Sequence, residues 1–482
     1  MGYSLLKNMN ETIAAVSTPP GKGGIAVIRI SGPQAVDAAN RLWRGANFTK
    51  VETHTIHYGE IMDGDGVLDQ AVASIFRSPN SFTGDDVVEL SVHGSPYVQQ
   101  RLLRLLIDGG DVRLALPGEF TQRAFLAGKL DLAQAEAIAD VIAAESRGAH
   151  RLAISQMKGR LSGRINMLRE ELLELLSLLE LELDFSEEDV EFASRDRLLE
   201  LCGDIQTTLR RLADSFSAGR AIVDGLPVVI AGCPNAGKST LLNELLDDDR
   251  AIVSDIPGTT RDTIEDIVDI EGTRFRFVDT AGIRENTSDR IELTGIRRAV
   301  ERIEKASLIL FLFDGSPDNF EESCRAWNNI VNRKPHYRQI VIPVISKADI
   351  LTQKELAESM EFLKTERPNG EEPSIEISST ITHSSKNPDD LAVLKKVILD
   401  TSRELTSEES YDVVLTNARH YEAINRAMEH IENARIALQN SIPADLVAHH
   451  LRMGVDEISA VTGNISTPEI LSNIFSRFCI GK

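Results

Sequence analysis

Residues 232–239 read Gly-Cys-Pro-Asn-Ala-Gly-Lys-Ser, a complete GxxxxGK[ST] phosphate loop directly after the apolar run Leu226–Ala231. A loop that joins a strand to a helix in this way aims backbone N–H groups and a helix N-terminus at one anion. Asn235, Ala236, Gly237, Lys238, Ser239 and Thr240 then form the contact surface. Lys238 reaches the β- and γ-phosphates, and the Ser239 hydroxyl ligates Mg²⁺. The chemistry implied is capture of a nucleoside triphosphate.

Further clusters follow in the order one nucleotide site requires. Ser254-Asp255-Ile256-Pro257-Gly258-Thr259-Thr260 lies in a connecting loop, where both threonines can close over the γ-phosphate and Mg²⁺. Asp279-Thr280-Ala281-Gly282 ends the strand-like run Phe275–Val278, the place of a Mg²⁺-side carboxylate and a γ-phosphate-sensing glycine. Ser346-Lys347-Ala348-Asp349 ends another apolar run. A carboxylate there accepts hydrogen bonds from guanine N1 and N2, which adenine cannot supply, so GTP is the expected nucleotide. The usual guanine reader has Asn where this chain has Ser346, and the shorter side chain predicts weaker nucleotide affinity. Ser378-Ser379-Thr380 reads as the base loop whose backbone N–H meets guanine O6.

Hydrolysis also needs a group that orients water. The residue after Gly282 is Ile283, and an aliphatic side chain neither orients water nor stabilises charge. Help must come from elsewhere in the chain, from an ion or from a partner. Asn235 either holds a monovalent cation beside the phosphates or braces its own loop. Glu292 is either the missing polar group or one solvated acid among many.

The elements that must position these residues come in three textures. Residues 1–125 mix strand-like runs (Ile25–Ile30, Val87–Val92) with an amphipathic helix, Tyr97–Asp108, closed by Gly109-Gly110, and read as a small α+β domain. Residues 126–218 are rich in Leu, Glu and Arg and predict long helices; leucines on almost every face of Leu168–Leu183 predict burial all round. Residues 219–402 alternate strands and helices, with Val228–Ala231, Phe275–Val278, Leu308–Phe313, Ile340–Ile345 and Ser374–Ile377 as strands of a doubly wound, mostly parallel sheet. Helical texture returns over 403–482. The simplest architecture is a helical domain split in sequence, with the nucleotide domain inserted into it.

Composition bounds the setting. The chain has 482 residues, 42% of them hydrophobic and 26% charged, enough for several ordinary globular domains. A net charge of −22 argues against capture of nucleic acid by a broadly basic surface. Cys202, Cys233, Cys324 and Cys479 lack metal-ligand spacing, which fits a reducing cytoplasm with neither disulfides nor zinc. The start of the chain lacks a targeting pattern, and Leu308–Phe313, the longest apolar strand, is too short to span a membrane, so cytoplasmic placement is expected.

Over nearly its whole length the chain resembles the MnmE (TrmE) family of GTPases that modify the tRNA wobble uridine. The likeness lies in Ser17–Gly21 leading to Arg29-Ile30-Ser31-Gly32, in Asn80-Ser81-Phe82-Thr83-Gly84-Asp85-Asp86 and in Pro117-Gly118-Glu119-Phe120. It continues through Lys129-Leu130-Asp131-Leu132-Ala133-Gln134-Ala135-Glu136-Ala137, Asp255–Asp262 and the tail Phe478-Cys479-Ile480-Gly481-Lys482. The resemblance implies an N-terminal folate-binding module, with a reduced folate (methylene- or 5-formyltetrahydrofolate) contacted by Arg29, Glu89, Lys129 and Lys482. It implies K⁺ cradled by Asn235, Ser254, Ile256 and Thr259, Mg²⁺ held by Ser239 and Thr260, and water positioned by Glu292. It further implies a homodimer formed through the N-terminal domains, in which approach of the GTPase domains activates hydrolysis. The implied partner is the FAD-dependent protein MnmG, in a heterotetramer or larger complex that places a carboxymethylaminomethyl group on C5 of the wobble uridine. Cys479, in a tail that carries Phe475 and Phe478, is either a packed inert thiol or a redox or covalent group near the folate. Two other readings of the nucleotide motifs are a GTP-switched ribosome-assembly factor and a non-catalytic dimeric scaffold. The helical, mixed-charge C-terminal segment lacks the GxxG-bearing basic module that the first would bring.

Overall fold

The computed structural model describes residues 10–184, 195–250, 265–279, 303–304, 306–333, 338–365, 375–405, 413–440, 442–464, 468–476, 478 and 481. The chain divides into two compact units. One comprises Met1–Ala143, Ala153–Gln206 and Ala423–Lys482, and the other Ala144–Leu152 and Thr207–Glu422.

The first unit opens with strands β1 (Thr12–Val16), β2 (Ile25–Ser31), β3 (Trp43–Arg44), β4 (Thr55–Asp63), β5 (Gly66–Phe76), β6 (Val87–His93) and β7 (Val112–Leu114). They form one sheet in the order β3-β4-β5-β6-β2-β1-β7, antiparallel except where β1 meets β7. Period-two alternation turns Ala26, Ile28 and Ile30 of β2 into the core and leaves Arg29 on the other face. Helices α1 (Ala35–Arg41) and α2 (Pro96–Asp108) cover the apolar face through Ala39, Leu102 and Leu106. The short α3 (Glu119–Leu126) follows Gly118, whose φ of +68° and approach to Phe475 leave no room for a side chain.

Helices α4 (Leu132–Ala143), α5 (Arg147–Met157), α6 (Arg160–Asp184) and α7 (Arg195–Asp224) come next. In α6, Leu168, Leu172, Leu175 and Leu179 are buried at three- and four-residue spacing, a single stripe, while Leu181 is 41% exposed. Burial on every face, expected from the sequence, gives way to this one-sided packing. Cys202 of α7 is buried, and burial pushes its thiol up to about 11, so it behaves as a small apolar residue.

The second unit is built on β8 (Leu226–Gly232), α8 (Lys238–Arg250), β9 (Glu265–Ile270), β10 (Thr273–Asp279), β11 (Leu308–Asp314) and α9 (Phe320–Val331). It continues with β12 (Gln339–Ser346), α10 (Gln353–Thr365), β13 (Ile375–Ile377), β14 (Ile381–Thr382) and α11 (Pro388–Leu405). The sheet order is β13-β12-β11-β8-β10-β9, with β14 also beside β12. All pairings are parallel except β9 with β10. Every residue of β11 and β12 is buried, as a sheet covered on both faces requires. Leu241, Leu245, Leu394 and Ile398 of α8 and α11 cover one face; Trp327, Ile330 and Leu363 of α9 and α10 cover the other. The doubly wound sheet expected from the sequence is present, with β9 added as an antiparallel edge. Helices α12 (Ala418–Gln439), α13 (Ala444–Thr462) and α14 (Pro468–Ser476) complete the chain. Among the described residues no helix is long and apolar enough to cross a membrane.

Within the second unit α7 lies tightly against residues 413–421. Ser215 Oγ accepts the Leu415 N–H at 3.0 Å, and the Phe216 and Tyr421 rings stack at 4.4 Å. A Cβ on Gly219 would stand 2.0 Å from the Leu415 carbonyl oxygen. Alanine gains about 1 kcal/mol of helix propensity over glycine, whereas forcing main chain apart typically costs about 1–3 kcal/mol. The clash therefore wins. Gly219→Ala is expected to lower the melting temperature by roughly 2–8 °C; calorimetry showing an unchanged or raised value would refute this account of the packing.

Candidate functional site

Strand β8 delivers Gly232 to the start of the phosphate loop, and α8 begins at Lys238. Gly232 has a φ of +148° and a Cβ there would lie 2.4 Å from the Leu312 carbonyl oxygen, so only glycine permits this approach of β8 to β11. Asn235 (φ +58°) and Gly237 (φ +96°) complete the turn that lines up the loop N–H groups. Lys238 Nζ donates to the Gly232 and Cys233 carbonyls at 3.1 and 2.7 Å, folding its ammonium over the loop. Asn235, Ser239 and Thr240 are exposed there.

The next strands over bring a second set of groups to the same edge. Asp314 ends β11 with no solvent exposure and accepts from Lys347 Nζ (2.7 Å), Ser316 Oγ (2.7 Å) and Asn319 Nδ2 (3.0 Å). Burial alone would raise its pKa, but Lys347 and Ser316 outweigh it and hold the carboxyl below its ordinary range. The Asp314 N–H also donates to Ser323 Oγ at 3.2 Å, and that hydroxyl lies 3.3 Å from Cys233 Sγ in the phosphate loop. A continuous network, buried as far as Asp314, thus runs from the phosphate loop to the half-exposed Lys347. Ser346 is buried, and its hydroxyl donates to the Phe313 carbonyl at 3.4 Å.

Asp349 is held by residues of one later segment. Its two oxygens accept from Ser384 Oγ (2.9 Å) and Lys386 Nζ (2.7 Å). Lys386 and then Ser384 hold the carboxyl below its ordinary pKa. The backbone closes the same corner, with Ala348 N–H donating to His383 O and His383 N–H to Ile345 O. Ser378, by contrast, donates its N–H to Val341, half a strand short of Asp349. The segment that packs beside Asp349 is therefore Ser384-Ser385-Lys386, while Ser378-Ser379-Thr380, expected as the base loop, lies farther along the strand. The reason is a broken strand: pairing with β12 stops at Ile377, resumes at Ile381–Thr382, and reaches the sheet edge only at His383. The signal was in the sequence, a Ser-Ser-Lys triplet just before the helix start Asn387-Pro388. The His383 ring also meets Glu244 of α8 at 3.0 Å, bracing this loop against the phosphate-loop helix.

In the first unit Arg29 and Glu89 stand opposite each other on β2 and β6 and pair at 2.8 Å. The Arg29 guanidinium lies 5.6 Å from the Phe82 ring centre and 5.5 Å from that of Phe120. Lys129 Nζ donates to Pro79 O at 2.6 Å and its Cε approaches Gly84, so one loop, 79–84, links Lys129 with Arg29. Gly481 is lodged against Val16 and Ser17, and Ser17 Oγ donates to its carbonyl at 3.0 Å. Sequence reasoning missed the support beneath. Glu119, nearly buried, accepts from Arg113 at 2.8 and 2.6 Å, from Arg123 at 3.0 Å and from the Leu116 N–H at 2.9 Å. Burial pushes its pKa up, and these donors more than reverse the shift.

Ser254, Asp255, Ile256, Pro257, Gly258, Thr259, Thr260, Thr280, Ala281, Gly282, Ile283, Glu292, Cys479 and Lys482 lie outside the described residues. Asp279 is placed by its backbone at the end of β10, paired with Ile230.

Residues 132–479 match the family described as MnmE helical domain, and residues 12–129 match that described as GTP-binding protein TrmE N-terminus. Full-length relatives named tRNA modification GTPase MnmE are similar throughout. That of Flavobacterium johnsoniae is 44% identical, covering 98% of this chain and 99% of its own. That of Christiangramia forsetii is 43% identical over 98% and 100%, and that of Cytophaga hutchinsonii 42% over the whole of both chains.

Which of the two serine segments serves the base has a direct check. Ser384→Ala removes a hydrogen bond to a carboxylate, an interaction of about 1.5–3 kcal/mol, and is expected to weaken GDP binding by roughly tenfold or more. Ser379→Ala is expected to leave it unchanged. Isothermal titration showing the reverse pattern would restore the first assignment.

Proposed function

The chain belongs to the tRNA modification GTPase MnmE family, and we propose that it acts as a GTP hydrolase in the modification of tRNA. The observation that carries the nucleotide half is the convergence of Lys238, Lys347 and Asp349, with its Ser384–Lys386 loop, on one edge of one sheet. Guanine N1 and N2 then join Ser384 and Lys386 at the Asp349 oxygens, each of which has two lone pairs, and the β- and γ-phosphates take over the Lys238 ammonium. Ser239 and Thr260 hold Mg²⁺, with Asp279 on the same side. Asn235, Ser254, Ile256 and Thr259 hold K⁺, whose charge stands in for the polar group that Ile283 lacks, while Glu292 positions the attacking water. Asn235 suits this role as an exposed amide at the turn of the phosphate loop. Hydrolysis is activated when the GTPase domains of a homodimer approach each other.

The first unit carries the one-carbon side of the reading. A folate presents a flat heterocycle and a glutamyl carboxylate, which match the aromatic-flanked Arg29, Glu89 and Lys129, with Lys482 joining from the tail that Gly481 anchors. Methylenetetrahydrofolate supplies the carbon, and the FAD-dependent partner MnmG shares the chemistry that builds the carboxymethylaminomethyl group on C5 of the wobble uridine.

Two measurements test this reading. Hydrolysis is expected to run at least tenfold faster in K⁺ than in Na⁺, with the difference abolished by Asn235→Ala; equal rates would favour a nucleotide-gated scaffold. Calorimetric titration with 5-formyltetrahydrofolate is expected to show saturable binding that Arg29→Ala removes. No binding to folded wild-type protein would leave a GTPase without a one-carbon task.

A further inference from the structure

Glu244 and His383 stand 139 positions apart in the second unit and meet side chain to side chain at 3.0 Å. Glu244 lies on α8, less than two turns after Lys238. His383 follows β14 and immediately precedes the Ser384–Lys386 segment that holds Asp349. Its imidazole is almost wholly buried, whereas the Glu244 side chain is 23% exposed. An ionised carboxylate only accepts, so Nε2 of the ring donates.

Three further links start from the same histidine. Its N–H donates to Ile345 O at 2.9 Å, and its carbonyl takes the Ala348 N–H at 3.2 Å. The next residue is Ser384, whose hydroxyl donates to Asp349 at 2.9 Å. His383 is thus tied at once to the end of β12, to the Ser346–Asp349 turn and to the helix that opens at the phosphate loop. Packing alone does not call for a polar pair here. Among the described residues Nδ1 of the ring is buried without a partner, a penalty that an apolar side chain avoids. Apolar groups of similar volume fill such a gap at least as stably. What the hydrogen bond adds is direction and distance between the Asp349 corner and α8.

We propose that the Glu244–His383 hydrogen bond is a positioning element that sets the separation of Asp349 from the phosphate loop, and that guanine selectivity depends on it; this rests on the sheet edge binding a guanine nucleotide. A nucleotide has a limited reach and must meet Lys238 with its phosphates and Asp349 with its base at the same time. GDP brings two donors to Asp349, N1–H and the 2-amino group. Inosine diphosphate (IDP) brings only the first. A displaced Asp349 therefore costs GDP more than IDP, whereas a loosened phosphate loop costs both alike.

The test is calorimetric titration of the full-length protein with Mg·GDP and with Mg·IDP. The wild type is expected to prefer GDP. His383→Leu removes the donor, and it is expected to weaken GDP binding by roughly threefold to tenfold and IDP binding less, so that the GDP-to-IDP affinity ratio falls at least about threefold. His383→Gln keeps an N–H that reaches Glu244, and Glu244→Gln keeps an acceptor oxygen; both are expected to restore the ratio. A cooperative thermal transition reports that each variant is folded; if His383→Leu is not, Glu244→Ala decides. An unchanged ratio in the folded variant, equal weakening of both nucleotides, or no recovery with glutamine at either position would each overturn the proposal while leaving the nucleotide site in place. Wild-type protein that binds neither nucleotide, or both equally, would overturn the guanine reading and the proposal with it.

Discussion

The nucleotide side of the molecule depends on the parallel register of β8, β11 and β12. Pairing Leu312 with Gly232 and Asp314 with Ser346 brings three strand ends to one edge. Because the strands are parallel, each delivers the segment that follows it, the phosphate loop, the Asp314 network and Lys347–Asp349, to the same side. Gly232 is the point of least tolerance, since β8 can lie this close to Leu312 only without a side chain there. A displaced register would separate Lys238 from Lys347 and Asp349, whatever their own integrity.

Within that frame the groups are fixed mainly by charge held in low dielectric. Asp314 is wholly buried and stays ionised because Lys347, Ser316 and Asn319 surround it. Glu119 plays the corresponding part in the first unit, where Arg113 and Arg123 clamp it at the start of α3. Such pairs add little net stability over apolar packing. Removal of one member strands the other, at a cost of roughly 3–5 kcal/mol. Their effect is to give Lys347 and the Pro117–Phe120 turn one geometry each.

What was legible in the sequence follows from the range of the interactions involved. Strands β8, β11 and β12 announce themselves as short apolar runs, and α2 by its periodicity and closing glycines, because local pattern decides them. The strand–loop–helix around Gly232–Ser239 was legible because its glycine spacing dictates the backbone. The segment beside Asp349 was less legible because an Ile-Ser-Ser-Thr-Ile stretch looks like a strand end, and only pairing with β12 reveals that the strand resumes at Ile381. Strand β9 has a modest, alternating pattern and exists through its antiparallel partner β10. The one-sided burial of α6 depends on what faces it, as Leu181 shows. The Glu119 cluster joins Glu11, Arg113 and Arg123, residues up to 112 positions apart, and no local window contains it.

The seating of Gly481 against Val16 and Ser17 has a consequence in time. The residue that seals the end of β1 is made 464 positions after Ser17. Contacts of such sequence separation form late, after the intervening chain has condensed. The neighbourhood of β1 is therefore finished only once the chain has been made as far as Gly481. A chain cut short of that residue would keep the Arg29–Glu89 pair but lose the contact that covers Val16 and Ser17.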